Sequence, residues 1–410
     1  MTDPIRPGSW LTSRRLRAHG TILAVCLWSL YVWTLATPGL RDRNFNLKGT
    51  DFLHFYTLGS LATTHGGAEL YDMNAQARLA AQRVPQAAGI RYLPLYPPQV
   101  SILFRPLAHL SYGWALTLWW GCSAVVYGIC GYSVWQACPN LRGEGRTVVI
   151  LAIAYPAFFH LIAWGQTSAL ALGCFTLMFF ALRDRREFLA GLILGCLIFK
   201  PQLGVAAAVV FASLGVWKTI AGAVFSAGGQ LAAGVLYYGI QPLREWFQTL
   251  ANVRAVMPWL EPKPYQTFSL RTFWSMLIPW PDFAFALYGL SAIVVLGLTI
   301  AIWKATSAPL ALRYSALLLA TVLVAPHLTV YDLVILAPVF LLVADWMAGQ
   351  DGTSSPRRLG TLLYLVYALP LLGPLAKWAH VQLAVIAMAA CVCVIWRTCR
   401  RLAPVSIAHQ

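Results

Sequence analysis

Charge is what this chain has least of. Only 11% of its 410 residues are Asp, Glu, Lys or Arg, against roughly a quarter in soluble domains. With 59% of the chain hydrophobic, one soluble core could not hide the apolar surface, which excludes an ordinary soluble enzyme. Several chemical signatures are missing as well. No C-x-x-C pair occurs, and most of the nine cysteines (Cys26, Cys122, Cys130, Cys174, Cys196, Cys391 and Cys393 among them) lie inside apolar runs, where they read as small packing residues. There is no H-E-x-x-H, no D-x-D and no close pair of carboxylates in the candidate turns. Asp51 and His54 make at most half a metal site, so metal-independent chemistry without a cofactor is expected. P-loop and dinucleotide fingerprints are absent. No internal repeat is visible, which disfavours an inverted-repeat transporter.

What is present is apolar sequence in helix-length pieces. A bilayer accepts such a composition, because about 20 apolar residues cross its hydrocarbon layer as a helix with every backbone group satisfied. Apolar segments run over 20–38, 112–136, 147–163, 168–183, 188–200, 202–217, 219–240, 281–304, 311–328, 331–347, 359–376 and 379–397. These predict an all-α polytopic membrane protein of about twelve spans, one domain over 1–410. The run 96–110 is broken by Pro97-Pro98 and by Arg105-Pro106, and reads as a re-entrant or interfacial helix. Arg14, Arg15 and Arg17 before the apolar run 21–36 imitate a signal peptide. Leu35-Ala36-Thr37 is a poor cleavage site, so an uncleaved first span is expected.

The formal charge of +16 does not imply nucleic acid. The basic residues sit in short loops between apolar runs, where they set topology and meet anionic headgroups of membrane lipids. Arg142/Arg146, Arg183/Arg185/Arg186, Lys218, Lys304/Arg313, Arg357/Arg358 and both termini then fall on the cytoplasmic side. The longer loops, 39–110 and 241–280, fall on the opposite, non-cytoplasmic side. Their aromatics (Phe52, Phe55, Tyr56; Trp246, Phe247, Trp259) suggest interfacial helices roofing a cavity.

Unusual polar residues gather on that same side: Asp51, His54, Glu69, Asp72, Gln166, Lys200, Gln202, Arg244, Arg271, His327 and Asp332. Such a cluster suits a lipid-borne polar substrate. Asp51, in Lys48-Gly49-Thr50-Asp51, reads either as a helix N-cap or as a general base taking a proton from an attacking sugar hydroxyl. Lys200, in Lys200-Pro201-Gln202, either snorkels to headgroups or holds a phosphate. Arg271 is a solvated loop residue or a two-pronged phosphate clamp. His327, in Pro326-His327-Leu328-Thr329, can donate to phosphate. Gln166, in Gly165-Gln166-Thr167-Ser168, caps the next helix or binds hydroxyls. Gln202 would orient polar groups, and Tyr96 with the prolines breaks a helix beside a groove for the donor's lipid tail.

The motifs Gly49-Thr50-Asp51, Gly67-Ala68-Glu69-Leu70-Tyr71-Asp72, Tyr96-Pro97-Pro98 with Arg105-Pro106-Leu107, Gly165-Gln166, Phe199-Lys200-Pro201 and Gln266 through Arg271 occur in an order that resembles bacterial glycosyltransferase family 87, of the GT-C superfamily. The resemblance runs over roughly 20–340. It implies a GT-C fold with a periplasmic site and a polyprenyl-phosphate sugar donor, mannose in characterised relatives. It also implies a lipid or glycan acceptor and transfer with inversion. The family's catalytic aspartate maps onto Asp51 and its late histidine onto His327. His54, Tyr96, Gln166, Lys200, Gln202 and Arg271 are the remaining donor-binding candidates. The rival readings are a lipid-linked sugar flippase, which needs polar residues across the midplane, and a non-catalytic membrane assembly protein, which needs no shared pocket.

Overall fold

The computed structural model describes residues 11–253, 255, 261, 263–350 and 355–402. Trp259, one of the loop aromatics, lies outside them. The chain is 80% helical, and among the described residues the only extended pairings are two isolated bridges, Arg41 with Leu47 and Thr267 with Thr329.

Among the described residues, seven helical stretches are long and apolar enough to cross a bilayer: Ser13–Leu35 (α1), Tyr112–Gln136, Trp217–Tyr238, Pro281–Lys304, Val330–Ala348, Arg358–Ala379 and Leu383–Leu402. An eighth would be the pair Pro139–Ala154 and Pro156–Trp164, bent by 45° where Pro156 starts a new helix. Four apolar helices are shorter, Ser168–Arg183, Glu187–Phe199, Pro201–Ser213 and Leu310–Val324. Together these account for each of the twelve apolar segments, but length alone establishes seven or eight crossings. The chain is a multi-pass membrane protein.

Lipid-facing and buried helices separate cleanly. On α1, Ile22, Val25, Leu30 and Trp33 are exposed, as are Leu290, Ile293 and Val294 on Pro281–Lys304. Apolar side chains left uncovered in this way match hydrocarbon solvent. Leu310–Val324 is the opposite case, with every residue from Tyr314 to Val324 buried. It forms the centre against which the last span and Val330–Ala348 pack.

The helix Thr50–Thr63 (α2) positions the site. Phe52 through Ala62 are all buried, including His54, Thr57 and Ser60. A helix buried on every face belongs inside the fold, so α2 is a core element and not an interfacial roof. Interfacial character belongs to Gln241–Ala251, which buries Trp246 and exposes Phe247. The segment 96–110 folds as a one-and-a-half-turn helix, Gln99–Phe104, and a tighter turn, Arg105–His109. Both pack on α2 and are too short to cross a membrane. At the crossing, a Cβ on Gly59 would lie 2.4 Å from the carbonyl oxygen of Phe104, so only glycine lets the two segments meet.

Candidate active site

Asp51 stands in the first turn of α2. Gly49 precedes the helix in the left-handed conformation (φ +63°), and no side chain caps the helix. The N-cap reading of Asp51 therefore does not hold. Its carboxylate instead accepts a hydrogen bond from Gln166 Nε2 at 2.7 Å. The backbone that presents it is pinned by two tyrosines, and the neighbouring Gly165 turn by a tryptophan. Tyr112 donates its hydroxyl to the carbonyls of Lys48 and Gly49 at 2.8 and 2.9 Å, and Tyr92 donates to the carbonyl of Thr50. Trp119 Nε1 donates to the carbonyl of Gly165 at 3.0 Å.

Gln166 is delivered by the tight turn between Pro156–Trp164 and Ser168–Arg183. Gly165 makes that turn at φ +70°, and a Cβ there would lie 2.7 Å from Cβ of Phe52. The missing side chain thus lets the turn press against α2, and Gln166 reaches Asp51. The amide oxygen of Gln166 accepts from its neighbour's backbone, Thr167 N–H, at 3.2 Å. That contact orients the amide so that its NH2 faces the carboxylate.

Asp51 is half-buried. Burial pushes its carboxyl up to about 6; the Gln166 hydrogen bond and the Lys200 ammonium pull it down, and the Asp332 carboxylate adds to the rise. A carboxyl in that range is ionised near neutrality yet basic enough to take a proton. Lys200 and Asp332 form a buried ion pair at 2.7 Å, with about 5% of either side chain exposed. Ser168 links them, accepting from Lys200 at 3.0 Å and donating to Asp332 at 2.5 Å. Asp332 also completes a reciprocal cap with Thr329 at the start of the turn 330–336, and the Lys200 ammonium lies 5.1 Å from the centre of the Tyr331 ring. Lys200 therefore does not snorkel.

Tyr96 stands close enough to both carboxylates for them to reinforce the effect of burial in raising its phenol. His54 lies among the rings of Phe55, Tyr92 and Tyr96 with neither ring nitrogen hydrogen-bonded, and burial pushes its imidazole down to about 3. A permanently neutral imidazole is a poor phosphate ligand. Gln202 is half-buried beside Lys200 and makes no hydrogen bond to the described residues. Glu69 is exposed, and Asp72 caps the helix Met73–Arg83 by accepting from Asn74 and Ala75.

Arg271 and His327 form a second cluster around an acid that sequence reasoning overlooked. Glu261 bonds Arg271 with one oxygen and His327 Nδ1 with the other, the latter at 2.7 Å. Arg271 also donates to the carbonyl of Pro326, so it is not a solvated loop residue. Burial works against the charge of Glu261, but His327 and Arg271 outweigh it and hold the carboxyl below its usual range. The two clusters share the turn from Ala325 to Asp332, which supplies His327 to one and Asp332 to the other. Among the described residues, no three His, Cys, Asp or Glu side chains converge as a metal would require.

The family model for glycosyltransferase family 87 matches residues 95–326, more than half of the chain. No curated protein and no solved structure matches it. The matched stretch contains Tyr96, Gln166, Lys200, Gln202 and Arg271; Asp51, His54, His327 and Asp332 lie outside it. The chain belongs to glycosyltransferase family 87, a GT-C-like family of polytopic membrane glycosyltransferases.

Proposed function

We propose that this family 87 glycosyltransferase moves a hexose, mannose by family resemblance, from a polyprenyl-phosphate carrier to a hydroxyl of a lipid or glycan acceptor on the periplasmic face of the inner membrane. The observation that carries the reading is the Asp51 carboxylate, fixed by Gln166 beside the Lys200–Asp332 pair and raised by burial into the range of a general base.

The reaction follows from that placement. Asp51 takes the proton of the acceptor hydroxyl as its oxygen attacks the anomeric carbon. The bond from that carbon to the phosphate oxygen breaks, the phosphate leaves with the electron pair, and the anomeric centre inverts. Arg271 and His327 stabilise the leaving phosphate in this reading, without a metal. Lys200, already neutralised by Asp332, contributes to the field around Asp51. Gln166 keeps the carboxylate aimed. Gln202 and Tyr96 would orient the sugar's polar groups in this reading.

The test is transfer by the purified protein from a short-chain polyprenyl-phosphate mannose to a panel of lipid and glycan acceptors. Asp51→Asn serves as the control, with membrane insertion checked separately. Transfer that survives in Asp51→Asn overturns the assignment of the base. Transfer from a different phosphate-linked sugar, with Asp51 still essential, would change only the sugar.

A further inference from the structure

Arg271 and His327 are held in place by contacts that do not involve Glu261. Thr267 pairs with Thr329, Phe268 N–H donates to the carbonyl of Leu328 at 2.9 Å, and Gln382 donates to the carbonyls of Pro264 and Thr267. Ser269 caps the helix Leu270–Leu277 that carries Arg271, and the Pro326 carbonyl and Thr272 hydroxyl steady the guanidinium. The two side chains thus stand on a scaffold fixed by backbone pairing. Glu261 comes from outside any helix, in the connection between Gln241–Ala251 and Leu270–Leu277. Its side chain is the most covered of the three, 5% exposed against 14% for Arg271 and 18% for His327. Its two oxygens divide between the two cations. That is how an anion sits in a site built for one.

We infer that Glu261 is an intramolecular stand-in for the donor's phosphate, and that the lipid-linked sugar binds by exchanging its phosphate for this carboxylate. The inference rests on the phosphate role given above to Arg271 and His327. The exchange is balanced in charge, because the phosphodiester of the donor and the carboxylate each carry one negative charge. The Arg271 guanidinium is never left buried and uncompensated, which is the costly alternative. Both anions offer at least two oxygens, one for the guanidinium and one for the imidazole, the division that Glu261 already shows. Transfer then changes the balance. The leaving group becomes a monoester of about −1.5 to −2 charge near neutrality, bound more tightly than the donor was. A carboxylate tethered ten residues from Arg271 competes for the same cations at high local concentration and drives the product out. Glu261 thereby weakens donor binding and shortens product residence.

The test measures binding of a short-chain polyprenyl phosphate to the full-length protein in nanodiscs, with the matching polyprenol and inorganic phosphate as separate arms. Glu261→Gln keeps the shape and removes the competing charge. It is expected to tighten polyprenyl phosphate binding about tenfold or more while leaving polyprenol unchanged. Glu261→Asp, too short to reach both cations, should tighten it several-fold and serves if the glutamine variant fails to fold. In turnover, Glu261→Gln should lower the donor KM and slow product release. Unchanged or weaker polyprenyl phosphate binding in both variants overturns the proposal. So does a fall in kcat with KM unmoved, which would make Glu261 a positioning residue for His327. Arg271→Gln and His327→Gln report on the underlying reading separately. If they leave polyprenyl phosphate affinity unchanged, the phosphate site itself is wrong; if they weaken it while the Glu261 variants do nothing, only the stand-in role falls.

Discussion

The pH dependence of transfer is the most demanding consequence of the Asp51 environment. With its carboxyl raised to about 6 by burial, Asp51 is about nine-tenths ionised at pH 7 and about one-tenth at pH 5. A general base works only when ionised, so the rate at saturating substrate should fall roughly tenfold between those values. An unshifted carboxyl, near 3.9, would still be about nine-tenths ionised at pH 5 and would leave the rate flat. The hydrogen bond from Gln166 opposes the rise. Bonds to charged groups contribute about 1.5–3 kcal/mol, so Gln166→Leu should move the acid limb upward by about one to two pH units. Initial rates from pH 4.5 to 8 in wild type and Gln166→Leu decide the matter. Asp51→Asn should lose about 100- to 10,000-fold at every pH. A wild-type profile flat to pH 4.5, or a Gln166→Leu limb that stays or moves down, refutes the assignment of Asp51 as the titrating base.

The buried pair beside it makes an opposite-signed prediction: Lys200→Met leaves Asp332 uncompensated and should shift the acid limb up, whereas Asp332→Asn should shift it down. Each single change should destabilise the protein by about 3–5 kcal/mol, and the double change Lys200→Met/Asp332→Leu should recover much of that in thermal unfolding in detergent. Gly165→Ala places a methyl against Phe52 at a φ of +70°, so transfer should fall at least about tenfold as α2 is pushed back. Gly289→Ala, which meets nothing within 4 Å, should be neutral in the same assay. Asp51→Asn should also unfold at a higher temperature than wild type at pH 8. A carboxyl raised in the folded state opposes folding when ionised, so this difference should shrink as pH falls through about 6 and vanish below the ordinary carboxylate range.

Membrane class and segment positions were legible in the sequence because the bilayer imposes them locally: each span must satisfy its own backbone within about 20 residues. Asp51 after the first span, the Gly165-Gln166 turn and Lys200 were also legible as exceptions to that apolar background, and the fold brings all three together. Their pairing was not legible. Gln166 reaches Asp51 across 115 residues, Lys200 reaches Asp332 across 132, and Glu261 reaches His327 across 66. Asp332 was visible only as one more polar residue in a turn, and Glu261 only as an acid in a long loop. The place of α2 was hidden for a related reason. Its Thr57 and Ser60 hydroxyls bond back to carbonyls four residues earlier, at 2.8 and 2.9 Å. A helix that returns its hydroxyls to its own backbone can be buried while its sequence still reads as an interfacial segment.

The same pairings change how the cations divide the work. Three positive residues on one substrate phosphate is the simplest reading of Lys200, Arg271 and His327 as sequence. Lys200, however, is sealed within 3.0 Å of both Asp332 and Ser168, and taking it away would strand a carboxylate in the protein interior. Arg271 and His327 give up nothing comparable, because their anion can be replaced by another of equal charge and their side chains remain partly open. In the proposed reading, two acids in similar surroundings thus have different consequences: Asp332 fixes its lysine beside Asp51, whereas Glu261 keeps Arg271 and His327 partnered while leaving them exchangeable. The proposed base and the proposed phosphate-binding pair can therefore be tuned independently, joined through the turn from Ala325 to Asp332, whose backbone positions Asp332 in one cluster and His327 in the other.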